Sequence, residues 1–178
     1  GALVAFGGAP RTRLSLPHQK ISGRQVSAGS HSVSAQQLVD TFNLTFEHSE
    51  RTILRGGAEE PYYEPGEPHR IVFRENFVRS ALHEVAHWCS AGERRRRLPD
   101  YGYWYSPDGR NRMQQAAFFS VEARPQAIEA MFCAACGIRF FPSVDNISAS
   151  ISSDEISAFS ARVDAWMMRF EVTGLPIR

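Results

Sequence analysis

The sequence predicts a single α/β domain of the α+β kind, in which several amphipathic helices pack against a small sheet. Three observations carry that expectation. The chain has 178 residues, the size of one ordinary domain. Hydrophobic residues make up 43% and charged residues 22%, which excludes a disordered or fibrous chain. Two short β-prone runs lie among longer stretches whose apolar residues recur at helical spacing, and no internal repeat is visible.

Residues 1–30 carry basic residues but no acid and show no periodicity, so they read as a flexible or non-native extension. Their Arg and Ser content also resembles an organelle transit peptide, but they lack the apolar core of a secretory signal. The domain is expected over 34–176. It opens at Ser34, where Ser-Ala-Gln-Gln has the form of a capping box and Leu38, Val39, Phe42 and Phe46 follow as one face of a helix. Strands are expected at 51–55, closed by Gly56-Gly57, and at 70–73, on either side of the Pro- and Glu-rich loop EEPYYEPGEPH. Asn76 suits the cap of a helix over 77–91, with Val78, Ala81, Leu82, Val85, Trp88 and Cys89 as its buried stripe and Gly92 as its stop. Residues 113–121 are ambiguous, and Pro125 suits the first turn of a helix that carries Ala127, Ile128, Met131 and Phe132 inward. The last helix is the clearest: Ser152 and Glu155 form a capping box, and Ile156, Phe159, Val163, Trp166, Met167 and Phe170 recur until Gly174.

A net charge of +1 gives no global attraction to nucleic acid or to an anionic membrane. No run of apolar residues is long enough to span a bilayer. Three cysteines, Cys89, Cys133 and Cys136, are too few for a disulfide framework and suit a reducing compartment, so a cytoplasmic location is expected.

Chemistry enters at His83-Glu84-Val85-Ala86-His87, an H-E-x-x-H inside the expected helix. Residues four apart project from one helical face, so both imidazoles can meet one cation while Val78, Leu82, Val85 and Cys89 back the other side. A third protein ligand is then expected, with positions left open for water, substrate or O2. Glu122, Glu129, Asp100, Asp108 and the four remaining histidines are the candidates. Glu122 is favoured because it falls near the expected start of the next helix, where it is equally well explained as an acid offsetting the helix dipole. A His-His-carboxylate set fits a zinc hydrolase with Glu84 as general base, and it fits the facial triad of non-haem Fe(II) oxygenases.

The segments PHRIVF (68–73), ALHEVAHWC (81–89), DYGYWYSPDGR (100–110) and VEARPQA (121–127), in this order and spacing, resemble the elongation factor P hydroxylase family over residues 34–176. That family hydroxylates the lysine of translation elongation factor P after β-lysine has been attached. The resemblance implies metal ligands at His83, His87 and Glu122. It implies a compact fold with a small mixed sheet against several helices, with the metal site on the H-E-x-x-H helix, similar in shape to a metal-dependent endoribonuclease. It implies Fe(II) with O2 as co-substrate, zinc being the alternative metal. 2-oxoglutarate is not indicated: there is no H-x-D, and the one H-x-E, at His48, lies at an expected helix end. Glu84 would orient or polarise the site. The rival readings are a zinc peptidase or ribonuclease, and a non-catalytic module that binds elongation factor P or RNA.

In the loop, Tyr103, Trp104 and Asp108 are candidate substrate contacts, and the acids Glu59, Glu60, Glu64 and Glu67 suit a cationic lysine-type side chain. Arg94, Arg95, Arg96 and Arg97 form the one dense basic run. It reads either as a solvated helix cap or as a docking patch for a negatively charged partner surface. Cys133-Ala-Ala-Cys136 lies late in an expected helix with no second pair, so its thiols are read as small core residues.

Overall fold

Ser34 starts the first helix as its sequence predicts: its side chain accepts from the Gln37 N–H, and the Gln37 side chain accepts from the Ser34 N–H. The protein is described here by a computed structural model covering residues 33–103, 109–146 and 151–176. Among these, the elements run α1 (Ala35–Glu50), β1 (Thr52–Ala58), β2 (Tyr62–Glu64), β3 (His69–Arg74), α2 (Val78–Ser90), α3 (Arg112–Ala135) and α4 (Ser153–Thr173). No helix among the described residues is long and apolar enough to cross a membrane.

The sheet has the order β1-β3-β2, with β1 parallel and β2 antiparallel to β3, and is therefore mixed. β2 lies inside the stretch expected to be a loop. Its three residues pair Tyr63 with Ile71, and the flanking prolines hide so short a strand from any alternation test. β1 does not stop at Gly56-Gly57 but passes through them with a shift of register between Arg55 and Ala58. Gly56 is needed there, because a Cβ would stand 2.5 Å from the Glu75 carbonyl oxygen.

Side chains close both sheet edges. The Asn43 amide on α1 accepts from the Leu54 N–H at 2.7 Å and donates to the Leu54 C=O at 3.2 Å, completing the outer side of β1. The Asp100 carboxylate accepts from the Tyr63 N–H at 2.9 Å on β2.

α2 begins one turn from the sheet without the expected Asn76 cap. Phe77 occupies the cap position with no side-chain bond, and Ser80, inside the helix, accepts the Arg74 N–H at 2.9 Å. The tight turn after β3, with Glu75 at φ 48°, sets this start and moves Asn76 out of register. The helix runs to Ser90 with Ala91 as its C-terminal cap, one residue short of the expected end at 91.

α3 departs most from expectation. Asn111 caps it with Gln114 in a capping box, and it runs without interruption to Ala135 with Pro125 in its interior. Proline removes one donor and usually ends or opens a helix. Here the cost is outweighed by the burial of Phe118, Phe119, Ala123, Ala127 and Ile128 along the same helix. Glu122 therefore lies in mid-helix, where an interaction with the helix dipole cannot explain it.

α2 stands between two cores. On one side Phe42, Leu54, Tyr63, Ile71, Phe73 and Trp88 join α1 to the sheet, with Val78, Val85 and Cys89 packed against them. On the other, Ala86 of α2 meets Phe119, Ala123 and Ala127 of α3 and Phe159, Val163 and Phe170 of α4. Burial on both sides holds α2 rigidly against α3, and it is between these two helices that the polar residues gather.

Candidate metal centre

His83 and His87, one turn apart on α2, turn their rings toward α3 with centroids 4.6 Å apart. Their Nε2 atoms are 3.1 Å apart. From α3 the Glu122 carboxylate reaches both, its Oε1 3.3 Å from His87 Nε2 and its Oε2 3.7 Å from His83 Nε2. One ligand atom from each of the three lies within 4.8 Å of the others. The Glu122 side chain is 1% exposed and His87 8%, whereas His83 is 27% exposed and marks the open side of the cluster.

These distances fit a shared ion. Donors bonded at about 2.1 Å and disposed at 90–109° stand roughly 3.0–3.4 Å apart, and two of the three separations fall in that range while the third needs a shift of a few tenths of an ångström. Bond chemistry agrees. The Nδ1 of His83 is 2.9 Å from Glu129 Oε2, and since a carboxylate accepts a hydrogen bond from an N–H, the proton of the neutral ring sits on Nδ1, which leaves Nε2 as a lone pair directed at His87 and Glu122. A proton on His87 Nε2, or a metal ion between the three groups, reconciles two imidazole nitrogens and a carboxylate at such range.

The electrostatics point the same way. Burial alone would lower the pKa of His83, but its hydrogen bond to Glu129 and the charges of Glu122, Glu129 and Glu84 outweigh it and push the pKa up to about 10. The cluster thus holds a surplus of carboxylate charge that calls for a cation. Burial would raise Glu129, yet its bonds to His83 and Arg79 pull it below the usual carboxylate range. Burial raises Glu84, reinforced by Glu122 and Asp100 and only partly countered by the two imidazoles.

Glu84 is buried on α2 rather than open to a cleft. Beside it runs the turn Asp100-Tyr101, both residues in the left-handed region at φ 46° and 57°. Tyr101 stacks on Tyr63 at 4.2 Å and lies nearly parallel to the His87 ring at 6.4 Å. Its hydroxyl is buried without a hydrogen-bond partner.

Of the other ligand candidates, Asp100 caps β2 and Glu129 holds the far edge of the His83 ring. His69 accepts the Gly66 N–H at 3.0 Å. Trp104 and Asp108 lie outside the described residues. Tyr103 is half-buried against the first core with the Arg95 guanidinium 4.2 Å over its ring. In the basic run, Arg96 pairs with Glu50 at 2.8 Å and lies over Trp88, and Arg95 donates to the Tyr101 carbonyl, so these two brace the turn. Arg94 and Arg97 are exposed, the latter paired with Glu93. Among the loop acids, Glu64 pairs with Arg70 and Glu67 with Arg51. Cys133 is buried and Cys136 ends α3, both as free thiols.

Two polar residues around the cluster, Arg79 and Gln126, carry no signal in the H-E-x-x-H motif, and Glu129 entered as a candidate ligand rather than as a partner of His83. Helical phase relates all three to the ligands. Arg79 lies one turn before His83, and Gln126 and Glu129 lie one and two turns after Glu122 on the same face.

The sequence comparisons agree with this architecture. A relative from Haemophilus influenzae, named elongation factor P lysine hydroxylase, is 39% identical over 147 residues, covering 80% of this chain and 82% of its own length. The family profile described as elongation factor P hydroxylase matches residues 41–178, which contain the whole sheet, all three converging side chains and α4. The chain therefore belongs to the elongation factor P hydroxylase family.

Proposed function

We propose that this chain hydroxylates the β-lysylated lysine side chain of elongation factor P in the cytoplasm, using O2 and a non-haem iron ion held by His83, His87 and Glu122. The observation that carries the reading is the convergence of two Nε2 atoms and one carboxylate from two helices of a chain in this family. Bound Fe(II) would supply one-electron chemistry toward O2 at positions the protein leaves open. The chain's own contributions are steric and electrostatic. His87 and Glu122 close the inner side, so substrate approaches from the exposed edge of His83. Glu84, buried beside the cluster with burial holding its carboxyl above the usual carboxylate range, polarises the site rather than serving as a base. The surplus of carboxylates favours a cationic lysyl chain. Tyr103, Trp104 and Asp108 are proposed to line its path, and the exposed Arg94 and Arg97 to meet the partner surface, Arg95 and Arg96 holding the turn that presents them.

Mass spectrometry of lysylated elongation factor P, incubated with the protein, Fe(II) and a reductant in air, tests this. One added oxygen atom is expected, absent without O2 and absent with His87→Ala. A second reading is favoured by one observation, the carboxylate of Glu84 beside the same cluster. With zinc, Glu84 would take a proton from water in hydrolysis of a peptide or RNA. Oxygen-independent cleavage of either polymer would establish that reading in place of the first.

A further inference from the structure

Behind the cluster, two hydrogen-bonded chains connect its ligands to one irregular segment, residues 141–143. On the α2 side, Arg79 donates from Nη2 to the Phe141 carbonyl at 2.9 Å. The same guanidinium donates to Glu129 Oε1 from Nη2 at 2.8 Å and from Nε at 3.2 Å. The second oxygen of Glu129 meets His83 Nδ1 at 2.9 Å. On the α3 side, Gln126 accepts from the Ser143 N–H and donates to the Ser143 C=O, both at 2.9 Å, and its amide also lies 3.4 Å from Glu122 Oε2. Glu129 and Gln126 are 2% and 1% exposed.

We propose that Glu129 is a positioning residue for His83, itself held by Arg79, and that Gln126 plays the matching part for Glu122, so that segment 141–143 sets the geometry of the ion. This rests on the reading of His83, His87 and Glu122 as ligands. Glu129 cannot be a fourth ligand in this arrangement, because it occupies the ring edge opposite the nitrogen that faces the cluster. Its carboxylate fixes the Nδ1–H tautomer and makes Nε2 the better donor, the role such outer carboxylates play for metal-bound histidines. Glu129 can act only if its own rotamer is fixed, and Arg79 fixes it with two bonds to one oxygen. The 141–143 backbone then holds Arg79.

Metal release into excess chelator tests the proposal, because a dissociation rate does not depend on how strongly protons compete for the empty site. Glu129→Gln and Arg79→Leu are expected to release the ion about 10- to 100-fold faster than the parent. Gln126→Leu is expected to do the same, while Arg79→Lys restores part of the loss. In the zinc-loaded protein, 15N-labelled histidine should show a protonated Nδ1 on His83 in the parent and an altered Nδ1 signal in Glu129→Gln, a change that a purely structural role would not produce. Parent-like release rates and an unchanged His83 signal in Glu129→Gln would overturn the inference. If His83→Ala and Glu122→Ala retain the ion as well as the parent does, the ligand assignment itself fails, which is a separate outcome.

Discussion

Metal uptake by this site should depend steeply on pH, with a sign set by His83. In the metal-free fold its pKa is about 10, and with Nδ1 turned to Glu129 the titrating proton sits on Nε2, where the ion must bind. Uptake therefore expels one proton, and apparent affinity should rise about tenfold per pH unit up to that pKa. At pH 7, three units below, the apparent affinity is about a thousandfold under its deprotonated limit, or about 4 kcal/mol. The same shift acts on folding. Because the folded pKa exceeds the ordinary 6.5, His83 stabilises the metal-free protein fully below pH 6.5, and that contribution fades as pH climbs through about 10. Chelator-competition titrations at pH 7, 8 and 9, with proton release measured in two buffers, give the slope directly. An affinity that does not change over this range, with no proton released, would refute the reasoning.

Other outcomes follow from the same geometry. Glu84→Gln should reduce hydroxylation less than tenfold in a steady-state assay, whereas loss of a general base costs about a hundredfold or more. Asn43→Ala removes both bonds to Leu54 and should lower stability by about 1–3 kcal/mol in urea titrations, with metal content unchanged. Tyr101→Phe deletes a buried hydroxyl that has no partner and should leave the melting temperature equal or higher. Arg94→Glu with Arg97→Glu should raise KM for the protein substrate without lowering the melting temperature, while Arg96→Ala should lower the melting temperature through loss of Glu50 and Trp88 contacts.

Much of this molecule can be read before any coordinates are consulted, wherever local chemistry decides. α1 and α4 carry capping boxes and a regular apolar stripe, and both begin at the residue those signals mark. The pairing of His83 with His87 follows from helical phase alone. Where tertiary burial overrides local preference, the sequence misleads. Pro125 resembles a first-turn residue, yet the packing of α3 between α2 and α4 carries the helix through it. Asn76 resembles a cap, but the turn after β3 places Phe77 there. β2 is too short to show a period, and it exists because Asp100 and Arg96 satisfy Tyr63 from 37 and 33 residues away. Glu122 is only half within the reach of spacing arguments for the same reason: its place on the next helix favoured it no more than an interaction with the helix dipole did, family resemblance raised it above that, and it joins the histidines only through the packing of α2 against α3.

Anomalous diffraction from a crystal loaded anaerobically with Fe(II) addresses the central claim most directly. The expected result is one peak between α2 and α3, within about 2.0–2.2 Å of His83 Nε2, His87 Nε2 and a Glu122 carboxylate oxygen, with Glu129 remaining on Nδ1. A peak elsewhere, or an ion that leaves Glu122 unbound, would contradict the account.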